Sequence, residues 1–375
     1  EIEFIIDENP CINQYQIEFF DWISEYYMCP IGKVYETALP KLFLVKSETI
    51  IDVNSNINSI KISSKAFELH KSISNFKEIS IIDLIKLFGK ESMKLINELA
   101  INDLVKIREE IYDSYKPKTT IFYKLNDDIG ASPSLVSSLR SKNHKIIVNF
   151  FLNEKTTFKE SQQNLIQRFN ITPSILKSLV KKNILIKKKL IIDRFDHSKS
   201  KNNKIIKLSD IQSNTLIKIK QELNKNKVVL FKGVTSSGKT EIYVELIQEI
   251  ISKKLNVLFL VPEIALTTQL VSRLKKYFPN NLHVYHSGIN QNLRYEIWND
   301  LKSKTEPKVV LGARSSIFLP FNNIGLIIVD EENEVSYKQF ESRPLYNARD
   351  LAVYLSKQMR SKCILASATP SLESF

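Results

Sequence analysis

Cysteine is rare in this chain of 375 residues, and Cys11, Cys29 and Cys363 lie far apart along the sequence. There is no C-x-x-C pair, so the usual spacing of zinc ligands and of redox-active thiols is missing. We therefore expect no zinc site in this segment. Three isolated cysteines are typical of a protein from a reducing cytosol.

Long hydrophobic runs and an export signal are also missing. No apolar run approaches the roughly 18 residues needed to cross a bilayer. The acidic residues 1–8 lack the basic start of a signal peptide. The sequence therefore predicts a soluble, cytoplasmic protein with no membrane partner.

Acidic residues are fewer than basic ones: the chain has 41 Asp and Glu and 54 Lys and Arg. Its formal net charge is +13 and its pI is near 9.3. Such a charge suits a polyanion, and basic stretches lie at residues 181–182, 187–189 and 199–207. The whole chain is also rich in Lys, Asn and Ile, as expected of a gene from a genome biased toward A and T. Part of the positive charge therefore reflects that bias. Its length predicts two or three domains.

The sequence G-V-T-S-S-G-K-T at residues 233–240 has the full phosphate-loop pattern and directly follows the apolar run 228–231. Its two glycines let backbone N–H groups converge on phosphate oxygens, and the following helix adds the positive end of its dipole. A glycine-rich turn used for packing alone is the alternative. The complete spacing favours ATP, with Lys239 on the phosphates and Thr240 on Mg²⁺. The predicted ligands are Gly233, Val234, Thr235, Ser236, Ser237, Gly238, Lys239 and Thr240.

Two adjacent carboxylates, Asp330 and Glu331, follow the apolar run 326–329. In a phosphate-loop enzyme the first binds Mg²⁺ and the second orients or deprotonates the attacking water. Alone, the pattern is more typical of a solvated acidic turn. Together with the loop, it predicts a catalytic site of Lys239, Asp330 and Glu331.

Short apolar runs alternate with segments of helical spacing over residues 208–375. The runs lie at residues 257–261, 282–285, 309–312, 326–329 and 363–366, and the clearest helical segments are 242–251 and 267–278. This alternation predicts an α/β fold, a parallel sheet with helices on both faces. Ligands of such folds collect at the carboxyl ends of the strands, where the phosphate loop and the paired acids both fall.

Taken in order, the motifs of this region resemble a specific family, that of primosomal protein N′, bacterial superfamily 2 DNA helicases that restart stalled replication forks. The motifs that carry the resemblance lie at residues 233–243, 261–267, 286–288, 312–315, 330–334, 336–339, 348–350 and 367–373. Upstream, residues 22–34 and 38–40 resemble the end of the family's N-terminal domain, which binds the 3′ end of a nascent strand.

The resemblance implies a RecA-like helicase lobe and an ATP-dependent 3′–5′ DNA helicase. It places Gln212 near the adenine. It implies a single-strand track along Pro262, Thr267, Arg314 and Ser315, and coupling of the nucleotide to that track through Asn333, Ser367, Ala368 and Thr369. The implied partners are forked and single-stranded DNA, primosome and helicase-loading proteins, and single-stranded DNA-binding protein.

Two residues depart from the family pattern, because Asn333 and Asn347 stand where the family usually has histidine. Asparagine keeps hydrogen-bonding capacity but has no titratable ring. We therefore hypothesise that ATP turnover survives better than unwinding. The loop at residues 337–346, which senses DNA in the family, keeps Phe340 and Tyr346 but has no tryptophan, so weaker stacking is expected.

A winged-helix-type DNA-binding region is predicted before the lobe. Helices are expected at residues 65–74, 79–87 and 91–100, followed by a β-wing formed by 104–107 and 111–115, with Lys90 and Lys94 toward phosphates. A three-helix domain that binds only protein is the alternative. Further along, helices are expected at 158–169 and 172–182, then a lysine-rich hairpin at 184–193.

The predicted domains are the end of a 3′-end-binding domain (1–45), a winged-helix-like region (46–195), a linker (196–207) and the ATP-binding lobe (208–375). The resemblance implies further domains on both sides, so we interpret the chain as an internal portion of a helicase or the product of a shortened gene. One alternative function is a non-catalytic module that binds DNA forks and ATP. Another is a different superfamily 2 translocase, such as a restriction subunit.

Overall fold

The computed structural model of the chain describes residues 9–44, 46–54, 62–89, 91–112, 115–126, 139–153, 158, 160–195, 207–234, 237–303 and 306–375. The chain divides into two compact units, Glu1–Tyr115 with Ser198–Phe375, and Lys116–His197. This division falls inside the predicted 46–195 region. The predicted linker, except residue 207, lies outside the described residues, and the domain limits proposed from sequence stay predictions.

The first described elements are two helices, α1 (Gln14–Tyr26) and α2 (Ile31–Ala38). α1 begins with a capping box, in which Asn13 and Gln16 each accept the other's backbone N–H through the side chain. The helix packs against residues in the C-terminal part of the chain. Gln16 Nε2 donates to the carbonyl of Phe318 at 2.8 Å, and Trp22 stacks on Tyr354 with ring centroids 3.6 Å apart.

A small antiparallel sheet with three helices follows, in the strand order β2-β1-β3. Its elements are β1 (Lys46–Val53), α3 (Ser64–Ile73), β2 (Glu78–Ser80), α4 (Ile81–Phe88), α5 (Ser92–Ile101) and β3 (Val105–Tyr112). The three predicted helices are present within three residues of their expected ends. The predicted β-wing is wrong, because residues 105–112 form one strand that pairs along its whole length with β1.

The second unit contains another antiparallel sheet, in the order β5-β4-β6. Its elements are β4 (Thr119–Leu125), α6 (Lys142–Asn153), β5 (Glu160–Ser161), α7 (Gln162–Phe169), α8 (Pro173–Lys181) and β6 (Leu185–Ile191). Thr172 and Pro173 start α8 as predicted. The predicted lysine-rich hairpin is wrong, because β6 is a single strand that pairs with β4.

The remaining residues form a six-stranded parallel sheet in the order β7-β12-β11-β8-β10-β9. Its strands are β7 (Val228–Lys232), β8 (Asn256–Leu260), β9 (Leu282–Tyr285), β10 (Val309–Gly312), β11 (Ile324–Asp330) and β12 (Lys362–Ser367). The accompanying helices are α9 (Asp210–Lys225), α10 (Lys239–Ser252), α11 (Thr268–Lys275), α12 (Gln291–Lys302) and α13 (Ala348–Gln358). Every residue of β8 is buried, which explains its continuous apolar run. The predicted α/β fold is confirmed.

Among the described residues, no helix is both long enough and apolar enough to cross a bilayer.

Candidate active site

The described residues of the turn after β7, 233–234 and 237–238, fit a phosphate-binding loop. Gly233 donates its N–H to the carbonyl of Ser367, at the end of β12, at 3.0 Å. Gly238 has a φ of 82° immediately before α10, and a Cβ there would lie 2.1 Å from Nε2 of Gln212. Only glycine fits this position without strain. Thr235 and Ser236, both predicted ligands, lie outside the described residues.

Lys239, the first residue of α10, is buried with 7% of its surface exposed. Its Nζ donates to the carbonyl of Gly233 at 3.1 Å and to Oε1 of Glu331 at 3.0 Å. Oδ1 of Asp330 lies 4.0 Å away. The three residues predicted to be catalytic are therefore together, at the carboxyl ends of β7 and β11.

Two tyrosines hold Asp330 in place, and they lie in the motifs at residues 233–243 and 336–339, which gave them no role. The hydroxyl of Tyr243 donates to Oδ1 of Asp330 at 2.8 Å, and that of Tyr337 donates to its backbone carbonyl at 2.6 Å. Burial raises the pKa of the Asp330 carboxyl, and the bond from Tyr243 opposes that rise. Tyr243 follows Lys239 by four residues, so both lie on one face of the helix. This spacing was the signal in the sequence that could have placed Tyr243 at the site.

Glu331 has a φ of 48°, in the left-handed region that side chains rarely adopt. Such conformations cluster at functional sites, where the surrounding structure compensates for their cost. Here the turn directs the carboxylate of Glu331 back to Lys239, while Asp330 remains within the strand. The two adjacent acids therefore reach the same lysine from different backbone conformations.

The residues present fit a nucleoside triphosphate with Mg²⁺. Two carboxylates face a single ammonium group, which leaves a net negative charge that a divalent cation can balance. Glycine at position 233 leaves room for the Lys239 side chain, since a Cβ there would lie 3.3 Å from Cδ of Lys239. Thr240 is the second residue of α10, in the position expected of a metal ligand.

Gln212 joins the start of α9 to the phosphate loop. Its side chain closes a capping box with Ser209, accepting the N–H of that residue at 2.9 Å, and its Nε2 lies 3.4 Å from the carbonyl of Gly238. This contact places Gln212 beside the loop. Its role at the adenine stays a prediction.

The predicted coupling residues form a hydrogen-bonded group. Asn333 accepts a hydrogen bond from the hydroxyl of Ser367 at 2.6 Å and donates to Oγ1 of Thr369 at 3.3 Å. Ser367 Oγ also accepts the N–H of Thr369 at 3.0 Å, with Ala368 between the two. Asparagine therefore connects the turn after the paired acids to the last motif.

A second network, which sequence reasoning missed, lies behind this group. Glu332 is 1% exposed and accepts hydrogen bonds from the backbone N–H of Ser371 at 2.7 Å and the hydroxyl of Ser374 at 2.7 Å. Arg349, from α13, approaches the same carboxylate at 3.4 Å. The sequence shows Glu332 next to the catalytic pair, but its hydrogen-bond partners lie in separate motifs, so their contact with it could not be predicted.

Three of the five residues predicted to contact DNA line a cleft of about 450 Å³ beyond the carboxyl ends of β8 and β10. They are Pro262, Arg314 and Ser315. Arg314 is held by the carbonyl of Lys338, to which Nη1 donates at 2.9 Å. Thr267 caps α11 instead, and Lys94 is exposed on α5, away from the residues that line this cleft.

The loop at residues 337–346 presents fewer aromatic rings than expected. Tyr346 is 1% exposed and packs edge-on against Phe318, so its ring faces the protein core. Phe340 is 65% exposed. Asn347, the second departure from the family pattern, caps α13 by accepting the N–H of Arg349 at 3.0 Å.

Comparison with known proteins gives two family matches. A DEAD/DEAH box helicase family matches residues 209–375, and a 3′ DNA-binding domain family matches residues 1–40. Replication restart protein PriA of Bacillus subtilis is 28% identical over 383 aligned residues, covering 100% of this chain and 46% of the relative. PriA of Helicobacter pylori is 49% identical over 168 residues, covering 45% of this chain and 26% of the relative.

PriA of Chlamydia muridarum is 29% identical over 362 residues, covering 96% of this chain and 39% of the relative. The chain thus spans less than half the length of these curated relatives. A solved Type ISP restriction-modification enzyme bound to DNA is 19% identical with a TM-score of 0.34, covering 44% of this chain and 13% of that one, a likeness too low to carry an argument.

Proposed function

We propose that this chain, which is similar to the PriA replication restart proteins, provides the ATP-binding lobe of a DNA helicase that restarts replication at stalled forks. The observation that carries this proposal is the cluster of Lys239, Asp330 and Glu331 at neighbouring strand ends. These groups are part of the charge set that phosphoryl transfer to water requires.

Each residue of the cluster has a distinct part in the proposed site. Lys239, which donates to Gly233 and Glu331, exchanges the carboxylate for phosphate oxygens of the nucleotide. Glu331 is then free to orient or deprotonate water. Asp330, fixed by Tyr243, and Thr240 would hold Mg²⁺. Mg²⁺-ATP supplies the phosphoryl group whose transfer to water releases free energy.

The cleft bounded by Pro262, Arg314 and Ser315 adjoins this cluster through the loop at residues 333–338. Tyr337 belongs to both, because the residue lines the cleft and its hydroxyl donates to the carbonyl of Asp330. We assign the single-stranded DNA track to this cleft. Asn333, Ser367 and Thr369 are the proposed connection through which nucleotide binding affects it.

The finer parts of the function rest on resemblance to the family. They are 3′–5′ movement, forked and single-stranded DNA as substrates, primosome and helicase-loading proteins and single-stranded DNA-binding protein as partners, and a cytoplasmic bacterial location. The relatives are named as replication restart proteins. Such partners fit a protein that acts where replication has stopped.

The proposal is tested by titrating the 375-residue chain with a fluorescent ATP analogue in the presence of Mg²⁺. Lys239→Ala should lose at least about tenfold in affinity, because the phosphates lose a charge-assisted hydrogen bond of about 1.5 kcal/mol or more. Glu331→Gln should bind as tightly as the parent or tighter, because Lys239 is released from its ion pair. Lys232→Ala, an exposed lysine at the end of β7, is the control.

Equal affinity in the Lys239→Ala variant and the parent contradicts the assignment of the site. Binding that depends on Lys239 but is never followed by hydrolysis, even with DNA present, favours the non-catalytic binding module instead.

A further inference from the structure

Two segments of the chain share one arrangement of secondary structure. The first module (46–112) and the second module (119–191) each run strand, helix, short strand, helix, helix, strand. In both, the first strand lies in the middle of an antiparallel sheet, with the short strand on one side and the last strand on the other. The modules belong to different compact units, so the correspondence is in their internal structure.

Individual backbone hydrogen bonds repeat at corresponding positions. Asn54, after β1, donates its N–H to the carbonyl of Leu104 at 3.0 Å, and Asn126, after β4, donates to the carbonyl of Ile184 at 3.0 Å. Leu104 and Ile184 in turn each donate to the residue five positions earlier, at 3.0 Å in both modules. The third helix of each module therefore enters the last strand by the same route.

Turn and cap residues repeat as well. Asp103 and Asn183, just before those strands, both have a φ of 57°. Ser80 and Ser161 each cap the second helix by accepting the N–H of the residue three positions later. These features fix the alignment of the two modules residue by residue, and they indicate a tandem duplication of one fold.

The two copies differ greatly in charge. Residues 46–115 contain 10 Lys and Arg against 11 Asp and Glu, a formal net charge of −1. Residues 116–197 contain 16 Lys and Arg against 6 Asp and Glu, a formal net charge of +10, out of +13 for the whole chain. A composition bias acting on the entire sequence does not explain a difference between two copies of one fold.

Corresponding positions on one sheet face show how the difference arises. In the first module, Arg108 on β3 is neutralised by Asp52 at 3.0 Å and Glu78 at 2.7 Å. By register, Asp52 corresponds to Lys124 and Arg108 to Lys188 in the second module. The positions of Asp52 and Arg108, which carry opposite charges in one copy, are thus both lysines in the other.

An aromatic ring accompanies these lysines. Nζ of Lys124 and of Lys188 lie 5.5 Å and 5.9 Å from the centroid of the Phe158 ring. Lys187, Lys188 and Lys189 on β6 are all exposed, and β6 forms an edge of its sheet among the described residues. Clustered like charges repel, so a surface of this kind is favourable when a polyanion lies against it.

We propose that the second module binds the phosphodiester backbone of DNA through the lysines of β6, and that the first module, its neutral duplicate, has no such site. This deepens the proposed function by assigning a DNA contact outside the helicase lobe. It also moves the expected contact from Lys94, in the first module, to Lys187, Lys188 and Lys189.

The test measures DNA affinity of the whole 375-residue chain against salt concentration, by fluorescence anisotropy with a labelled duplex and with a labelled single strand of the same sequence. The variant replaces Lys187, Lys188 and Lys189 with Gln. The control replaces three exposed lysines of the first module, Lys65, Lys71 and Lys77, with Gln, an equal change of charge.

The β6 variant should lose affinity at low salt by about tenfold or more. Its logarithmic salt slope should fall by about 2.7 for the duplex or about 2 for the single strand, because each phosphate that is no longer neutralised removes roughly 0.9 or 0.7 from the slope. The probe whose slope falls identifies the bound form. The control should keep the affinity and slope of the parent.

Equal losses in the two variants overturn the proposal, because charge alone then explains binding. Unchanged affinity in the β6 variant together with new self-association also overturns it, since the lysines then serve to protect a sheet edge from pairing. Displacement of DNA by polyglutamate of equal charge concentration points instead to an acidic protein. The same variants are also titrated with the fluorescent ATP analogue and Mg²⁺, so that failure of this proposal is distinct from failure of the ATP site.

Discussion

At the scale of single residues, the arrangement around Asp330 depends on two tyrosines to which the motifs assigned no role. Motif spacing predicted which residues carry charge, but the positions of those charges come from Tyr243 and Tyr337. Both hydroxyls are buried, and burial is the main reason that their pKa values lie well above the ordinary value. The phenols therefore remain protonated hydrogen-bond donors wherever the protein is folded.

Tyr243→Phe removes the bond to Oδ1 of Asp330 without changing the shape of the buried ring. The carboxylate then loses a partner in a largely buried place, so the free energy of unfolding should fall by about 1 to 2 kcal/mol. Urea denaturation of the chain measures this. Tyr277→Phe, a partly buried tyrosine that packs against the same core, is the control and should change stability by less than about 0.5 kcal/mol. Equal effects at both positions would show that the bond to Asp330 has no special value.

At the scale of elements, apolar runs predicted the large sheet well because its strands are buried on both faces. All five strands predicted after the phosphate loop appear in the structure within two residues of their expected ends. The two predicted hairpins fail for one shared reason. Each last strand pairs with a strand more than 50 residues earlier, and local turn signals carry no information about so distant a partner.

Helices α9 and α10 are joined by an ion pair that sequence spacing does not reveal. Glu249, on α10, accepts from Lys220 of α9 at 2.7 Å and from Lys253 at 2.6 Å. Hydrogen bonds from these lysines lower the pKa of the Glu249 carboxyl from 4.5 to about 2. Because the folded pKa is the lower one, the ion pair stabilises the protein fully above pH 4.5, and this stabilisation disappears as the pH falls toward 2.

Glu249→Gln should therefore lower the free energy of unfolding at pH 7 by about 0.5 kcal/mol, a small value because the pair is partly solvated. The difference from the parent should shrink as the pH falls below 4.5. Urea denaturation at several pH values measures it. Glu222→Gln is the control, because it removes an ion pair that lies within α9 and joins no second helix. A difference independent of pH would rule out the ion pair as its cause.

At the scale of the whole molecule, the described residues contain separate hydrophobic cores in the helicase lobe, the first module and the second module. The sequence predicted several domains from length alone, and its motifs located the lobe. It did not predict that the 46–195 region contains one fold twice. The duplication became visible through strand order and backbone hydrogen bonds, which are preserved although the side chains on the sheet surfaces have changed from ion pairs to lysines.

Separate cores predict that damage to one unit leaves the other intact. Leu165, with 0% exposure in the second module, and Ile247, with 0% exposure in the lobe, provide matched Ala substitutions that each cost about 2 to 5 kcal/mol locally. Hydrogen exchange by mass spectrometry should show faster exchange over residues 119–191 for Leu165→Ala, with unchanged nucleotide affinity. Ile247→Ala should accelerate exchange over β7 to β12 and weaken nucleotide binding. Faster exchange throughout the chain in both variants would mean that the two units unfold as a single cooperative body, since independent units confine the loss of protection to the damaged core.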